Sequence, residues 1–446
     1  MLNSVYSLHW HLSRAFEFPG IHRKLRELRE EGRLSPHGWK ELLDRRLRRL
    51  LTFAGEHVPY YKKVFNQVGF NPEFSDLRDL YHVPILTKEL VREYAKELVA
   101  DTVNQSRMFE NATGGSTGVP LRFYQDPGYW TVNRAIDTYV KEWWGIRPYD
   151  RTASVWGADR EFSDFSLKER LYLWRFRSRS VNAFRMNDES LLNFSKMLGC
   201  WRPPYLTGYS SALEALATCV KEHGIKNLKF RAIRSAAEML WPHQRRLIEE
   251  TFNSPVYNFY GSREANNLAA ECPEERRLHL ISTWRYIEII DDEGKVVPEG
   301  ETGYITVTDL SNYAMPFIRY QNEDVGILDS RPCPCGRPSP VLKELLGRST
   351  DLIRTPRGDI IHGEFFTHLF YGRDDIRQFQ VHQKALDHLI VRYVPNENPP
   401  AKDMKKIIGE IRARIGDGVA IDLEMCSEIP IPPGGKYRFT ISDVKM

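Results

Sequence analysis

Leucines recur at helical spacing through residues 21–50, IHRKLRELREEGRLSPHGWKELLDRRLRRL, with charged side chains between them. The pattern predicts two amphipathic helices. Their break falls at SPHG, with Ser35 as N-cap and Pro36 at the first helical position. From 105 to 310, short β-rich runs alternate with helical ones. Examples are TASVWGA (152–158), YLTGYSSALEALATCVKEHG (205–224) and LKFRAIRSAAEML (228–240). This alternation predicts an α/β domain. The stretch YIEIIDDEGKVVPEGETGYITVTDL (286–310) predicts two strands joined by polar turns, an antiparallel hairpin or small sheet. In 351–446, QFQVHQKALDHLIVRYVP, AKDMKKIIGEIRARIG and AIDLEMCSEIP predict a small α+β lobe in β-helix-β order. The expected division is a large domain over 1–346, with 1–50 as a helical, basic extension, and a small domain over 347–446.

Composition narrows the classes. Over 446 residues, 41% are hydrophobic and 12% aromatic, enough for a sizeable core and against disorder. A net charge of +4 does not point to nucleic acid. No run approaches the ~20 apolar residues of a bilayer span. The start, MLNSVYSLHWHLSRAFEF, makes a poor signal peptide, so the cytoplasm is the expected compartment. Residues 21–50 hold ten Lys or Arg and five Asp or Glu. Two readings stay open there: solvated helices, or a face that docks an anionic membrane or an acidic partner.

Five segments carry candidate chemistry. In TGGSTGVP, Gly114, Gly115 and Gly118 free the backbone, and Thr113, Ser116 and Thr117 add hydroxyls. Such a nest suits a phosphate, although it lacks the lysine of the G-x-x-x-x-G-K-[ST] loop. In NFYGSREA, Tyr260 can stack on a base. Gly261 and Ser262 let backbone approach a ligand, and Glu264 can hold a magnesium ion. In PFIRYQNEDVG, Asp324 can accept from two ribose hydroxyls. LLGRSTDLIRTPRGDII reads as a hinge, with Arg348 able to pair with phosphate or carboxylate. PPGGKYRF presents Lys436 on a glycine tip. TGYSSA does not match the G-x-S-x-G elbow, so a hydrolase is disfavoured.

In this order the segments resemble the adenylate-forming superfamily of acyl-CoA synthetases and luciferases. The resemblance is to the phenylacetate–coenzyme A ligase branch and its capsule-biosynthesis relatives. It covers residues 45–446 and rests on LLTFAGEHVPYYKKVF, TGGSTGVP, AAE, YGSRE, RYQNED, CPCGR and the terminal GK. It implies a large α/β domain with mixed sheets and a small α+β lid. It implies use of ATP and Mg²⁺ to convert a carboxylic acid to an acyl-adenylate, and transfer of the acyl group to a thiol such as coenzyme A. Amine or sugar-hydroxyl acceptors, or a nucleotide-binding scaffold in a glycan-assembly complex, are the alternatives. The retained Glu264 and Lys436 argue against the scaffold.

The resemblance assigns Lys436, Glu264 and Arg263 to catalysis. ATP falls to the 113–118 loop, Ala237, Glu238, Tyr260, Gly261, Ser262, Asp324 and Arg348. Arg263 stands where the family usually has Thr or Ser, Thr350 where its hinge has Asp, and Leu121 where Lys is frequent. The acid pocket is expected at Trp156, Tyr209, Ser235, Ala236 and Phe259. These aromatic walls favour an aromatic or medium-sized apolar acid. No basic residue is evident in these segments to hold a second carboxylate.

Cys272, His279, Cys333 and Cys335 offer thiolate and imidazole ligands that suit tetrahedral zinc, although C-x-C is tight for such a site. Buried free cysteines are the other reading, and a His279 that faces the acid pocket instead is a third. The resemblance favours zinc, since some relatives in that branch look similar, with a structural zinc held by such a set. Cys200, Cys219 and Cys426 read as packing residues.

Overall fold

The computed structural model describes residues 2–74, 77–112, 121–156, 174–183, 186–348, 351–370, 375–396, 404–430 and 439–444. Thr113, Gly114, Gly115, Ser116, Thr117, Gly118, Thr350 and Lys436 lie outside the described residues.

Helices α1 (Leu2–Glu17), α2 (Ile21–Glu31), α3 (Pro36–His57) and α4 (Pro59–Val68) open the chain. The expected break is where α3 starts. Ser35 Oγ accepts from the Gly38 N–H at 3.0 Å, with Pro36 in the first turn. The periodic leucines are the buried stripe: Ile21, Leu25 and Leu28 on α2, and Leu43, Leu47 and Leu50 on α3. Much of the charge between them is spent within the protein. Arg29 meets Glu142 at 2.6 Å and Arg46 meets Glu31 at 2.6 Å. Lys24 and Arg46 also lie over the Trp284 ring. Helix α5 (Lys88–Glu93) follows, then a ribbon of β1 (Phe109–Ala112) and β2 (Arg122–Gln125). Helix α6 (Pro127–Trp143) is capped by Asp126, whose carboxylate accepts from the Tyr129 N–H at 2.8 Å.

One sheet of eleven strands dominates the described residues. Its parallel part comprises β3 (Thr152–Trp156), β4 (Ser178–Asn182), β5 (Tyr205–Gly208), β6 (Ala232–Ala236) and β7 (Val256–Ser262). Antiparallel strands extend it: β8 (Asn266–Glu271), β9 (Leu278–Leu280), β10 (Arg285–Ile290), β11 (Gly303–Asp309), β12 (Tyr320–Asp329) and β13 (Val341–Arg348). The order is β10-β11-β12-β13-β9-β8-β7-β6-β5-β3-β4. The hairpin expected over 286–310 is β10 paired with β11.

Both faces of the parallel part are covered, as parallel strands require. Val155, Leu206, Ile233 and Val256 pack with α7 (Asp188–Trp201), α8 (Ser210–Glu222) and α9 (Pro242–Phe252). Tyr205, Ala232, Ala236, Tyr257 and Phe259 pack with α2 and α6 on the other face.

The C-terminal part adds a small pair, β14 (Leu352–Arg354) and β15 (Ile360–His362), and helix α10 (Gly363–Phe370). A four-stranded sheet then follows from β16 (Ile376–Ala385), β17 (His388–Pro395), β18 (Ala420–Met425) and β19 (Thr440–Ser442), in the order β18-β17-β16-β19. Helix α11 (Lys405–Ile415) links β17 to its parallel neighbour β18. Phe366, Ile407 and Ile411 close a separate core over Phe379, Val381 and Val391. The β-helix-β reading of this region therefore holds. Among the described residues no helix is long and apolar enough to cross a membrane.

Candidate functional site

Ligands of open α/β sheets bind beyond the carboxyl ends of parallel strands. Tyr209, Ala237, Tyr260 and Glu264 all follow or end such strands here. Strand β7 carries Phe259, Tyr260, Gly261 and Ser262 into a tight turn before β8. Gly261 is required by the close approach of that turn: a Cβ there would lie 2.5 Å from the Asn266 carbonyl oxygen.

Tyr260 OH donates to Asp324 Oδ2 at 2.7 Å. Asn322 Nδ2 donates to both, at 2.7 Å to the phenol oxygen and 2.9 Å to the carboxylate. Asn322 was absent from the sequence-based set. A β-bulge brings the triangle together. Gln321 faces Thr306 and Val325 faces Tyr304, so Asn322, Glu323 and Asp324 all stand against Ile305. Glu323 takes φ +69° within that bulge. Such strain concentrates at functional sites.

Burial raises the Asp324 carboxyl to about 6, with the charge of Glu264 adding to the effect and Arg348 and Tyr260 opposing it. Arg348 faces Asp324 in register across β12 and β13, its Nε 4.0 Å from Oδ1. Lys88 of α5 pairs with Glu323. Glu264 accepts from Tyr320 OH at 2.8 Å. Burial and that carboxylate hold the Tyr320 phenol well above its usual range, so it stays a donor. Arg263 is exposed in the turn between β7 and β8.

Ala237 leaves β6 at φ +66°. Glu238 then accepts from the Ser211 N–H at 3.0 Å, at the start of α8. Ser235 is buried, its hydroxyl 2.6 Å from that of Ser210 on α8. It therefore lies across the sheet from Ala236 and Phe259, which share the α6 side. Trp156 packs on that same cluster, its ring 4.5 Å from that of Tyr209.

Arg234, a basic residue absent from the segments expected to line the acid pocket, has its guanidinium 4.8 Å from the centre of the Phe259 ring. It sits one alternation below Ala236, so it shares that strand face. Read along the chain, AIRSAAE hid it between strand-forming neighbours.

A second cluster lies at the junction of β8, β9 and β13. Cys272 Sγ is 4.0 Å from Cys333 Sγ, and Cys335 Sγ is 3.3 Å from His279 Nε2. The four ligand atoms all lie within 4.8 Å of one another. Zn–S bonds of about 2.3 Å in a tetrahedron put sulfurs about 3.8 Å apart, so the set fits zinc. Ser339 supports it: its carbonyl lies 3.2 Å from His279 Nδ1, which leaves Nε2 to ligate when Nδ1 carries the proton. Burial pushes the Cys333 thiol up to about 11. At Cys272 burial acts the same way but is outweighed by hydrogen bonds from His279 and from backbone, so that thiol is lowered. His279 faces this cluster and is fully buried.

Residues 353–443 match the CapK C-terminal domain family. The chain is 25% identical over 414 residues to Protein CapK of Staphylococcus aureus, covering 91% of this chain and 89% of that one. It is 24% identical over 321 residues to phenylacetate-coenzyme A ligase of Thermus thermophilus, covering 70% and 71%. Among solved structures it is similar to 2-hydroxyisobutyryl-CoA ligase in complex with 2-HIB-AMP. There the TM-score is 0.71 at 21% identity, over 93% of this chain and 91% of that one. The fold is that of the adenylate-forming ligases, and the resemblance drawn from the ordered motifs, to the phenylacetate–coenzyme A ligase branch, holds.

Proposed function

We propose that the protein is an AMP-forming ligase that activates a carboxylic acid with ATP and passes the acyl group to a thiol, coenzyme A. One observation carries the reading: Tyr260, Asn322 and Asp324 form a hydrogen-bonded triangle and Glu264 lies against Tyr320, at the end of the strand that also carries Phe259. In the first step a carboxylate oxygen bonds to the α-phosphorus and the bond to pyrophosphate breaks. In the second, the thiol sulfur bonds to the acyl carbon, AMP leaves and the thiol proton is released. Carboxylates are poor acyl donors, and the adenylate supplies a leaving group.

Tyr260 stacks beside adenine in this reading, and the Asp324 carboxylate accepts from ribose hydroxyls. Tyr320 orients Glu264, which would hold Mg²⁺ and so help to neutralise the phosphate oxygens. The loop of Thr113, Gly114, Gly115, Ser116, Thr117 and Gly118 cradles phosphates, and Lys436 bridges the carboxylate and the α-phosphate. Ala237, Glu238, Gly261 and Ser262 line the nucleotide, and Arg263 and Arg348 serve its phosphates. Residues 347–446 act as a lid turning near Gly347, which takes φ +83°. The set of Cys272, His279, Cys333 and Cys335 would hold a structural zinc.

Pyrophosphate exchange over a panel of acids, then thioester formation with and without coenzyme A, tests this. Exchange that depends on an acid, followed by coenzyme A consumption, is expected. Absence of exchange with every acid would overturn it. A second reading has its own support. The match to CapK spans 91% of the chain, against 70% for the Thermus ligase. On that reading the adenylate is the same and the acceptor is an amine or a sugar hydroxyl. Exchange without coenzyme A consumption would select it.

The raised carboxyl of Asp324 gives a pH dependence. The folded chain holds this proton more tightly than the unfolded chain does. The contribution of Asp324 to stability is therefore greatest below about pH 4 and is lost as pH rises to about 6. Binding through an ionised carboxylate runs the other way. Adenosine, whose ribose has no phosphate to confuse the titration, should bind progressively more weakly below about pH 6. The limiting loss is about tenfold per pH unit. Calorimetry should show this slope in the wild type and its disappearance in Asp324→Asn. An equal slope in both would remove Asp324 from the ribose site.

A further inference from the structure

Interior positions of parallel strands, covered on both faces, normally carry an unbroken run of apolar residues. On the α6 side of this sheet one row breaks that rule. Ser180 pairs with Ser154 in register, Ser154 with Thr207, and Thr207 with Arg234. Residues paired in this way share a face, so a polar row crosses four strands. It lies directly below Trp156 and Ala236 of the acid pocket, at the two-residue spacing of a strand. Ser180 Oγ is buried with no hydrogen-bond partner among the described residues.

Helix α6 faces this row with charge. Asp137 accepts from Arg234 Nη1 at 2.8 Å and from Lys141 Nζ at 2.8 Å. Arg234 Nε also donates to Thr207 Oγ1 at 2.9 Å. Arg134, one turn earlier on α6, adds a third cation. Its Nε is buried and takes no hydrogen bond among the described residues. Three cations thus surround one carboxylate. Burial lowers the Lys141 ammonium, yet two guanidinium groups against Asp137 still leave a positive surplus. The side chains of Arg234, Asp137 and Lys141 keep 16%, 22% and 23% of their surface accessible. A surplus of one sign, partly reached by solvent and with unmet donors, is costly until an anion enters.

We infer that the acid pocket is built for a carboxylic acid with a second, remote carboxylate, held at the polar row by Arg234. This rests on the adenylating reading above and replaces its expectation of an apolar acid. Two residues of strand separate the rows, about 6.6 Å. That suits the two carboxyl groups of a five- or six-carbon chain or of a benzene ring. The aromatic walls of Trp156, Tyr209 and Phe259 would then flank the carbon skeleton.

Matched acids test it: adipate against hexanoate, and isophthalate against benzoate, in pyrophosphate exchange. The wild type should favour each diacid in kcat/KM by tenfold or more. Arg234→Met should lower the diacid values by about 10–100-fold, the worth of a charged hydrogen bond, and leave the monoacid values within about threefold. Arg234→Lys should restore part of the preference. A wild type that favours the monoacids overturns the inference and leaves the adenylating reading intact. So does a variant that loses both classes equally with a lowered Tm, because Arg234 is then only a fastener of α6 to the sheet. Exchange with none of the four acids overturns both.

Discussion

Lys436→Ala is expected to lower acid-dependent pyrophosphate exchange by a factor of about 10²–10³, the cost of removing one aligned donor from a developing oxyanion. ATP affinity should change by no more than a few-fold. The split follows from where charge develops. In the ground state ATP is held by base, ribose and phosphate contacts spread over many residues. In the transition state negative charge gathers at the α-phosphate and at the incoming carboxylate. A cation bridging those two groups acts only there, so its loss should appear in kcat and not in nucleotide binding. Thioester formation from a supplied acyl-adenylate should survive, because that step does not build charge at the same place. Exchange at the wild-type rate in the variant would sink the assignment of Lys436.

The metal cluster gives the second large effect. Protein purified without added metal should carry about one equivalent of zinc. Cys333→Ser should remove it and lower the Tm on the order of 10 °C, several kcal/mol for a domain of this size. Cys272 and Cys333 are 61 residues apart, and the ion would tie the β8–β9 turn to the loop before β13. Without it, thiols and an imidazole are left buried with their ligand geometry unused. Cys200→Ser supplies the control, since that thiol is exposed and far from the set in sequence. Metal-free protein with an unchanged Tm would show that these cysteines only pack.

In both experiments the sequence already named the residues, and it did so for particular reasons. Local rules were legible because they act over a few residues. Ser35 and Pro36 set the start of α3, and the leucines at helical spacing set its buried stripe. Alternation from strand to helix over 205–240 gave the parallel core. The hairpin of β10 and β11 followed from two β-rich runs and polar turns. Tyr260, Glu264, Asp324 and the cysteines could be picked because the short segments that hold them, taken in order, resemble one family.

What the sequence could not decide depends on register and on which strand lies beside which. Asn322 reaches Tyr260 because a bulge puts three residues of β12 against Ile305, and a bulge is a property of the pair of strands. Ser235 and Ala236 are neighbours in the chain, yet strand alternation sends one to Ser210 and the other to the cluster of Phe259 and Trp156. Arg234 stands in an ordinary strand-forming run. Its charge acquires meaning only when β6 lies beside β5 and under α6, where it bonds Thr207 and Asp137 and joins Lys141 and Arg134 around that carboxylate. The sequence by itself determined the elements, the order of motifs and the kinds of chemistry available. Tertiary structure decided which charges are left unanswered, because that balance is set by groups brought together from about a hundred residues away in the chain.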